Sequence, residues 1–456
     1  MLEIHGDGGP PNEAILPWDG FQTHRDRSMY RSPQSRALQQ VKGEIQAAER
    51  WDDFKKITNP YEYVHLSWNR RSSSSVAARH PLSRSYFKMV EMWEALDFQT
   101  HLEPLVTAGG LKTAHAAEGP GGFIEACLSR AEKLGWTHAD THAITLKSDA
   151  TNIPGWRKAS RFLEAHPTVH IHEGADGTGN ILLKVNQDSF VRASLGAHIY
   201  TADGGFDFSS DYNAQEDTIF SLLVAEALLG LRCLSVGGIM VLKCFDTTER
   251  NTLDLLWLLT RAFSAWHIVK PHTSRAGNAE RYFVGMGRLP VIDDIVMFLE
   301  SIQKARLWNC PLLTQGAEQR EWLKRVFELQ EAIEAQEYRI IRLTLDLMQT
   351  PEYRRIYALV AENVTRSVEW CRRFGEDVSS HWLADNEKKL ARETRDLIAL
   401  LTDTPGASSA AWYNRTGASV KSLTFEGFRG GKDAMPSTMA ITTAVRFGNF
   451  KPTPWA

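Results

Sequence analysis

Two lysines and two carboxylates stand where charge is hard to place for packing alone: Lys88, Asp203, Lys243 and Glu280. Asp203 opens Asp203-Gly204-Gly205-Phe206 after a strand-like apolar run. It is thus at the carboxyl end of a strand, where open α/β sheets place ligand and catalytic groups. Lys243 ends the apolar run Gly238–Leu242, and a charge there is costly unless it is paired or functional. A satisfied salt bridge is one reading and a chemical role the other. Glu280 stands just before a final strand, behind the polar loop Lys270–Asn278, and Lys88 lies off the apolar stripe Tyr86, Met89, Val90, Trp93 of a helical pattern. Lysine is a poor base at its free value near ~10.4, and a buried site beside a second cation pushes that value toward neutrality. Such a group can take or orient the proton of an attacking hydroxyl.

A second feature is Glu118-Gly119-Pro120-Gly121-Gly122-Phe123, between a strand-like run and the helical pattern Ile124–Leu134. Glycines at a strand-to-helix turn let a ligand approach the backbone, and the helix start presents free N–H groups. A tight turn of an α/β unit explains the same residues. The loop fits neither the dinucleotide Gly-x-Gly-x-x-Gly pattern nor a phosphate loop ending in Gly-Lys-Ser/Thr, which disfavours a dehydrogenase or a nucleotide hydrolase.

The elements that must position these residues are legible as alternating strand and helix patterns over 106–290, the sign of a doubly wound α/β sheet. The predicted strands are Thr113–Ala117, His142–Leu146, Val169–His172, His198–Ala202, Gly238–Lys243, Ala265–Lys270 and Tyr282–Met286, with helices at Asp217–Ser235 and Thr252–Phe263. After Arg288 the pattern is helical only, with Tyr357, Val360, Val364, Val368 and Cys371 on one face. We expect a loosely ordered arm or surface strap over 1–40, an α/β domain over 41–290, a helical domain over 291–402 and a tail over 403–456 that packs on the body.

At 456 residues the chain exceeds one typical core. A net charge of −3 gives no global pull toward nucleic acid, so any RNA contact has to be local. Cys127, Cys233, Cys244, Cys310 and Cys371 are scattered and lack metal-ligand spacing, so free thiols, a reducing compartment and no metal are expected. The first 20 residues lack a signal-peptide pattern, and no run approaches the roughly 18 apolar residues of a membrane span. A soluble intracellular protein with no membrane association is the expectation.

Taken in order, Tyr86-Phe87-Lys88, the glycine loop, Ala202–Phe206, Val241-Leu242-Lys243 and Lys270-Pro271…Ser274-Arg275…Glu280-Arg281-Tyr282 resemble the FtsJ-like RNA ribose 2′-O-methyltransferases. Asn59–Tyr63, Gly174–Asn180 and the wording around Asp203 are similar to mRNA cap methyltransferases of eukaryotes and large DNA viruses, and Asp207–Glu216 leans toward the viral ones. The resemblance covers roughly 59–290. It implies a Rossmann-like S-adenosylmethionine-dependent sheet with helices on both faces and a Lys-Asp-Lys-Glu tetrad at Lys88, Asp203, Lys243 and Glu280. Lys243 would deprotonate or orient the hydroxyl, with Lys88 as the second cation that lowers its pKa and both carboxylates holding the lysines. The cofactor S-adenosylmethionine would lie on Glu118, Gly119, Pro120, Gly121, Gly122 and Phe123, with Asp176 and Asp203. The usual aspartate of the glycine loop is Glu118 here.

The implied substrate is the 5′ end of capped mRNA. Arg70, Arg71, Arg84 and Arg275, with Arg79 and Arg281 nearby in sequence, are candidates for phosphate contacts; a solvated arginine-rich face explains them equally. Trp68 and Tyr63 could stack on a base, although core packing is the commoner fate. The helical domain is a candidate for a protein partner. Location would be nucleus or cytoplasm for a cellular protein, and a cytoplasmic factory or virion for a viral one. Competing functions are a ribosomal or transfer RNA 2′-O-methyltransferase, a non-catalytic RNA-binding subunit retaining the fold, and a small-molecule methyltransferase.

Overall fold

The computed structural model describes residues 1–9, 32–45, 47–66, 74–106, 109–147, 155–205, 215–308, 312–313, 316–383 and 386–402. Eight strands are present among them: β1 (Leu2–Asp7), β2 (Leu111–Ala116), β3 (His138–Ile144), β4 (Val169–His172), β5 (Ala197–Ala202), β6 (Leu234–Phe245), β7 (Phe263–Lys270) and β8 (Glu280–Arg288). The helices are α1 (Pro33–Ile45), α2 (Trp51–Thr58), α3 (Ser85–Ala95), α4 (Phe98–Leu102), α5 (Gly122–Lys133), α6 (Ser160–Ala165) and α7 (Lys184–Ser194). They continue with α8 (Gln215–Cys233), α9 (Arg250–Thr260), α10 (Asp293–Ala305), α11 (Ala317–Gln349), α12 (Tyr353–Arg373) and α13 (Asn386–Thr402).

The strands form one sheet in the order β1-β7-β8-β6-β5-β2-β3-β4. Pairing is parallel from β6 through β5, β2 and β3 to β4, and antiparallel among β6, β8, β7 and β1. The chain leaves β2 toward β3 and β4 on one side and returns to β5 and β6 on the other. Between β2 and β5 lies the switch point at which open sheets bind ligands. Because β8 runs against β6, its first residue lies beside β6's last: Phe245 pairs with Glu280, and Lys243 with Tyr282. Lys243 and Glu280, 37 positions apart in sequence, thereby reach the same sheet edge. The strands are apolar because helices cover them; Tyr200, Phe220, Leu223, Leu242, Leu256 and Phe283 are buried in the core cluster, each contributing about 1.5–3 kcal/mol of burial.

Two expectations need correction. The first residues are not a loose arm: Leu2–Asp7 pairs with β7, from Leu2 opposite Lys270 to Asp7 opposite Ala265. Leu2 and Ile4 pack against the core, an alternation too short to stand out among the glycines and prolines that follow, and residues 33–45 are helical. The domain boundaries also differ. The described chain divides into a sheet unit, 1–47 with 81–339, and a helical unit, 48–80 with 340 onward. Ile292, Leu299, Ile302, Trp322, Val326 and Ile333 belong to the sheet unit's core, so the helices after 290 begin as part of it.

In the helical unit α12 packs on α2, on residues 62–64 and on α13. The Asn363 amide donates to Ile57 O at 2.7 Å, Trp382 Nε1 donates to Ser74 O at 2.8 Å, and Ala77 bridges Val378. Its buried face runs through Ile356, Val360, Val364, Ser367 and Cys371, with Tyr357 and Val368 only half-buried. The whole of 403–456 lies outside the described residues, as does Cys310, while the other four cysteines are buried free thiols. Among the described residues no helix is long and apolar enough to cross a membrane, and no cluster of metal-ligating side chains occurs.

Candidate active site

Four elements bring the two lysines and two carboxylates together. Lys88 Nζ, from α3, is 2.6 Å from Glu280 Oε1 at the start of β8. Lys243 Nζ, at the end of β6, is 3.2 Å from Asp203 Oδ1 just after β5 and donates to Asp203 O at 2.7 Å. Tyr282 joins the two pairs: its hydroxyl accepts from Lys88 Nζ at 3.2 Å and donates to Asp203 Oδ1 at 2.8 Å. The resemblance places Tyr282 within a motif but implies no role for it. Its position two residues after Glu280 on a strand, and therefore on the same face, was the available signal.

Charge is strongly organised here. Burial raises the Glu280 carboxyl, but Lys88 and then Lys243 outweigh it and hold the group well below the usual carboxylate range. Burial lowers the Lys243 amine, yet Asp203, Glu280 and Glu226 together raise it above its ordinary 10.5. The expectation that a second cation depresses Lys243 is thus corrected. Lys88 is itself paired with Glu280, and the carboxylates dominate what Lys243 feels.

A supporting layer fixes the loop before β8. Ser274 Oγ donates to Glu280 Oε1 at 2.9 Å. Glu91, fully buried one turn beyond Lys88 on α3, accepts from the backbone N–H groups of His272 and Thr273 at 2.7 and 3.1 Å. Burial works against its ionisation, but His272 brings its carboxyl down to about 2. Lys270 Nζ donates to Asn278 O, Asn278 Oδ1 and Glu280 O at 2.6, 2.9 and 2.9 Å, and burial lowers this amine to about 7.

The glycine loop lies on the same edge, across the switch point. Glu118 Oε1 accepts from Ile124 N at the start of α5 at 3.0 Å, and its other oxygen accepts from Thr201 and lies 3.3 Å from His115 Nδ1. Both carboxylate oxygens therefore hold the loop to its own framework. Gly121 has φ +103°, a conformation that favours glycine, yet an added Cβ would stand a tolerable 3.4 Å from Ile124 and Trp156. The left-handed backbone is by itself a reason for glycine at this position. Gly122 is tighter: a Cβ would meet Ser83 and Ser85 Oγ at 2.2 Å, which lets α5 approach α3. Asp176 is exposed in the loop after β4, and its Oδ1 accepts from Thr178 N, Thr178 Oγ1 and Asn186 Nδ2 at 2.9, 2.7 and 2.9 Å.

The arginines separate. Arg84, one turn before Lys88, donates from Nε to Thr273 O at 3.2 Å, in the loop that also carries half-buried Arg275. Arg281 is fully buried; strand alternation turns it away from Glu280, toward Thr247 Oγ1 at 3.0 Å, Asp246 Oδ1 at 3.3 Å and Gln330. It cannot serve phosphate. Arg70, Arg71 and Trp68 lie outside the described residues, and Arg79 belongs to the helical unit. Tyr63 is buried edge-on against Trp382, with centroids 6.2 Å apart, as a core residue.

Residues 81–288, which enclose all four tetrad positions, match the family model described as FtsJ-like methyltransferase. Residues 81–288 are thus similar to an FtsJ-like methyltransferase domain. This FtsJ-like domain also has curated relatives. The chain is 33% identical over 193 residues to cap-specific mRNA (nucleoside-2′-O-)-methyltransferase 2 of Danio rerio, covering 41% of this chain and 26% of that protein. It is 32% identical over 238 residues to the corresponding methyltransferase 1 of Mus musculus, covering 48% and 28%. A probable methyltransferase of African swine fever virus is 26% identical over 285 residues, covering 59% of each chain. The match thus spans less than two thirds of each of these relatives.

Proposed function

We propose that the FtsJ-like domain methylates a ribose 2′-hydroxyl near the 5′ end of capped mRNA, with S-adenosylmethionine as donor. The observation that carries this reading is the pair of lysine–carboxylate contacts, Lys88–Glu280 at 2.6 Å and Lys243–Asp203 at 3.2 Å, bridged by Tyr282 on the sheet edge beside the glycine loop. Two relatives are named for cap-specific 2′-O-methylation, which favours the mRNA 5′ end over ribosomal or transfer RNA.

The residues fit the cofactor. Gly205, two residues beyond Asp203, would bring an added Cβ only to within 3.4 Å of the Lys243 amine, so the backbone leaves that amine approachable. Gly119–Phe123 would offer backbone, Glu118 would hold the loop in shape, and the outward carboxylate of Asp176 would face the polar groups of a nucleoside. When bound, S-adenosylmethionine supplies an electrophilic methyl group whose departure leaves a neutral thioether, so no metal is needed to stabilise a leaving anion.

The chain's own residues then have distinct tasks. Lys88, fixed by Glu280 and Tyr282, donates to the acceptor oxygen and orients it. Lys243 takes the hydroxyl proton in its minor deprotonated form; Asp203 holds the amine in line. Because carboxylates raise the Lys243 amine, the rate increases with pH through neutrality. Arg84 and Arg275 would contact phosphates of a short 5′ segment, which needs few such contacts from a chain of net charge −3. The helical unit would serve as a stabilising or partner-docking body, and the reading implies action inside the cell, where capped mRNA is made. Labelled methyl transfer to capped and triphosphate-ended versions of one short transcript tests the substrate. Faster transfer to the capped form is expected; equal rates would remove the cap requirement and favour a ribosomal or transfer RNA substrate.

A further inference from the structure

Glu226 lies in the middle of α8 with its side chain fully buried; among the described residues its carboxylate has no side-chain hydrogen-bond partner and is approached by the Gly204 backbone N–H. It points at the backbone of the site. A Cβ on Gly204, the residue after Asp203, would come within 2.0 Å of Glu226 Oε1, so glycine at 204 is what lets the acid approach. A buried acid with so little hydrogen bonding destabilises a fold, and packing alone gives no reason for one here.

The titratable groups bearing on Glu226 are Lys243 from β6, Asp203 after β5 and Tyr200 within β5; Glu118, after β2, bears on Tyr200. The acids on the neighbouring helices are paired elsewhere: Asp188 of α7 with Lys184 and Arg232, Asp254 of α9 with Arg250, and Glu300 of α10 with Lys184. We propose that Glu226 is a positioning residue for Lys243, its buried proton governing how readily the lysine amine gives up its own. This rests on the reading of Lys243 as the group that takes the hydroxyl proton.

Burial, with Lys243 partly opposing, pushes the Glu226 carboxyl up to about 8. Below that pH it is a neutral acid, and Lys243 faces the carboxylates of Asp203 and Glu280. Above it a third carboxylate holds the ammonium, so further loss of protons from the pair no longer yields proportionately more free amine. Wild-type rates therefore rise with pH and flatten above about 8. In Glu226→Gln the flattening disappears.

Single-turnover methyl transfer, compared for wild type and Glu226→Gln from about pH 6 to about pH 10, reads this out. The ratio of variant to wild-type rate should be level below pH 8 and climb several-fold above it; a ratio independent of pH would reduce Glu226 to a structural residue. Carboxyl-region infrared difference spectra of wild type and Glu226→Gln give an independent readout that needs no active substrate. Wild type should show a buried protonated acid titrating at about 8 beside that of Glu216, which burial raises to about the same value. The Glu226 signal should be missing from Glu226→Gln, and an unchanged variant spectrum would overturn the proposal. An inactive wild type with that infrared signal would instead count against the methyl-transfer reading.

Discussion

Replacing Lys243 by methionine keeps the unbranched stem and removes the amine. The loss expected is that of a positioned base, about 10²- to 10⁴-fold in rate, or about 3–5 kcal/mol of transition-state stabilisation. Folding should suffer less. Removing one partner of a buried ion pair costs about 3–5 kcal/mol when the other is left alone. Here Asp203 keeps the Tyr282 hydroxyl at 2.8 Å, and Glu280 keeps Lys88 at 2.6 Å and Ser274 at 2.9 Å. We expect a stability loss of about 1–3 kcal/mol by denaturant titration, and S-adenosylmethionine affinity within a few-fold by calorimetry. Single-turnover transfer of labelled methyl to a short capped RNA measures the rate. A variant that binds cofactor normally and works within tenfold of wild type would refute the role given to Lys243.

Tyr282→Phe removes the bridge between the two pairs. A charge-assisted hydrogen bond of about 1.5–3 kcal/mol predicts at least a tenfold fall in single-turnover rate, and an unchanged rate would make the hydroxyl incidental. Gly121→Val places a branched side chain at φ +103°, a strain of about 1–3 kcal/mol. Cofactor affinity should drop tenfold or more in calorimetry; normal affinity would mark the loop as a turn only. Glu91 has a folded carboxyl pKa of about 2 against an ordinary 4.5. Its stabilisation is fully present above 4.5 and fades as pH falls toward 2, and is on the order of 3 kcal/mol at most. Glu91→Gln should flatten the acid limb of stability against pH; an unaltered limb would show that Glu91 is not responsible for it.

The parallel core was legible because its strands are short apolar runs bounded by turn residues, and Val169–His172 was read to the residue. The tetrad was legible for a related reason: Lys243 interrupts an apolar run, and Asp203 and Glu280 stand at strand ends, where charge has to be explained. Pairings were not legible. Tyr282 looked like one more strand aromatic, and its bridging role appears only once β8 is laid antiparallel to β6. Arg281 looked like a phosphate ligand from its neighbours in sequence, while alternation along the strand turns it into the core. Glu226 was hidden inside the helical pattern Asp217–Ser235. β1 escaped because an edge strand of six residues carries only two inward apolar positions, and residues 48–80 joined the later helices through contacts across some 300 residues of chain.

The central claim, that this site methylates a ribose 2′-hydroxyl, is tested most directly by locating the transferred label. A short capped transcript incubated with the protein and labelled S-adenosylmethionine, then digested with nuclease, should yield the label in one nuclease-resistant dinucleotide from the 5′ end. The same transcript with 2′-deoxyribose at that position should accept none. Label on a base, or undiminished transfer to the deoxy transcript, would contradict the account.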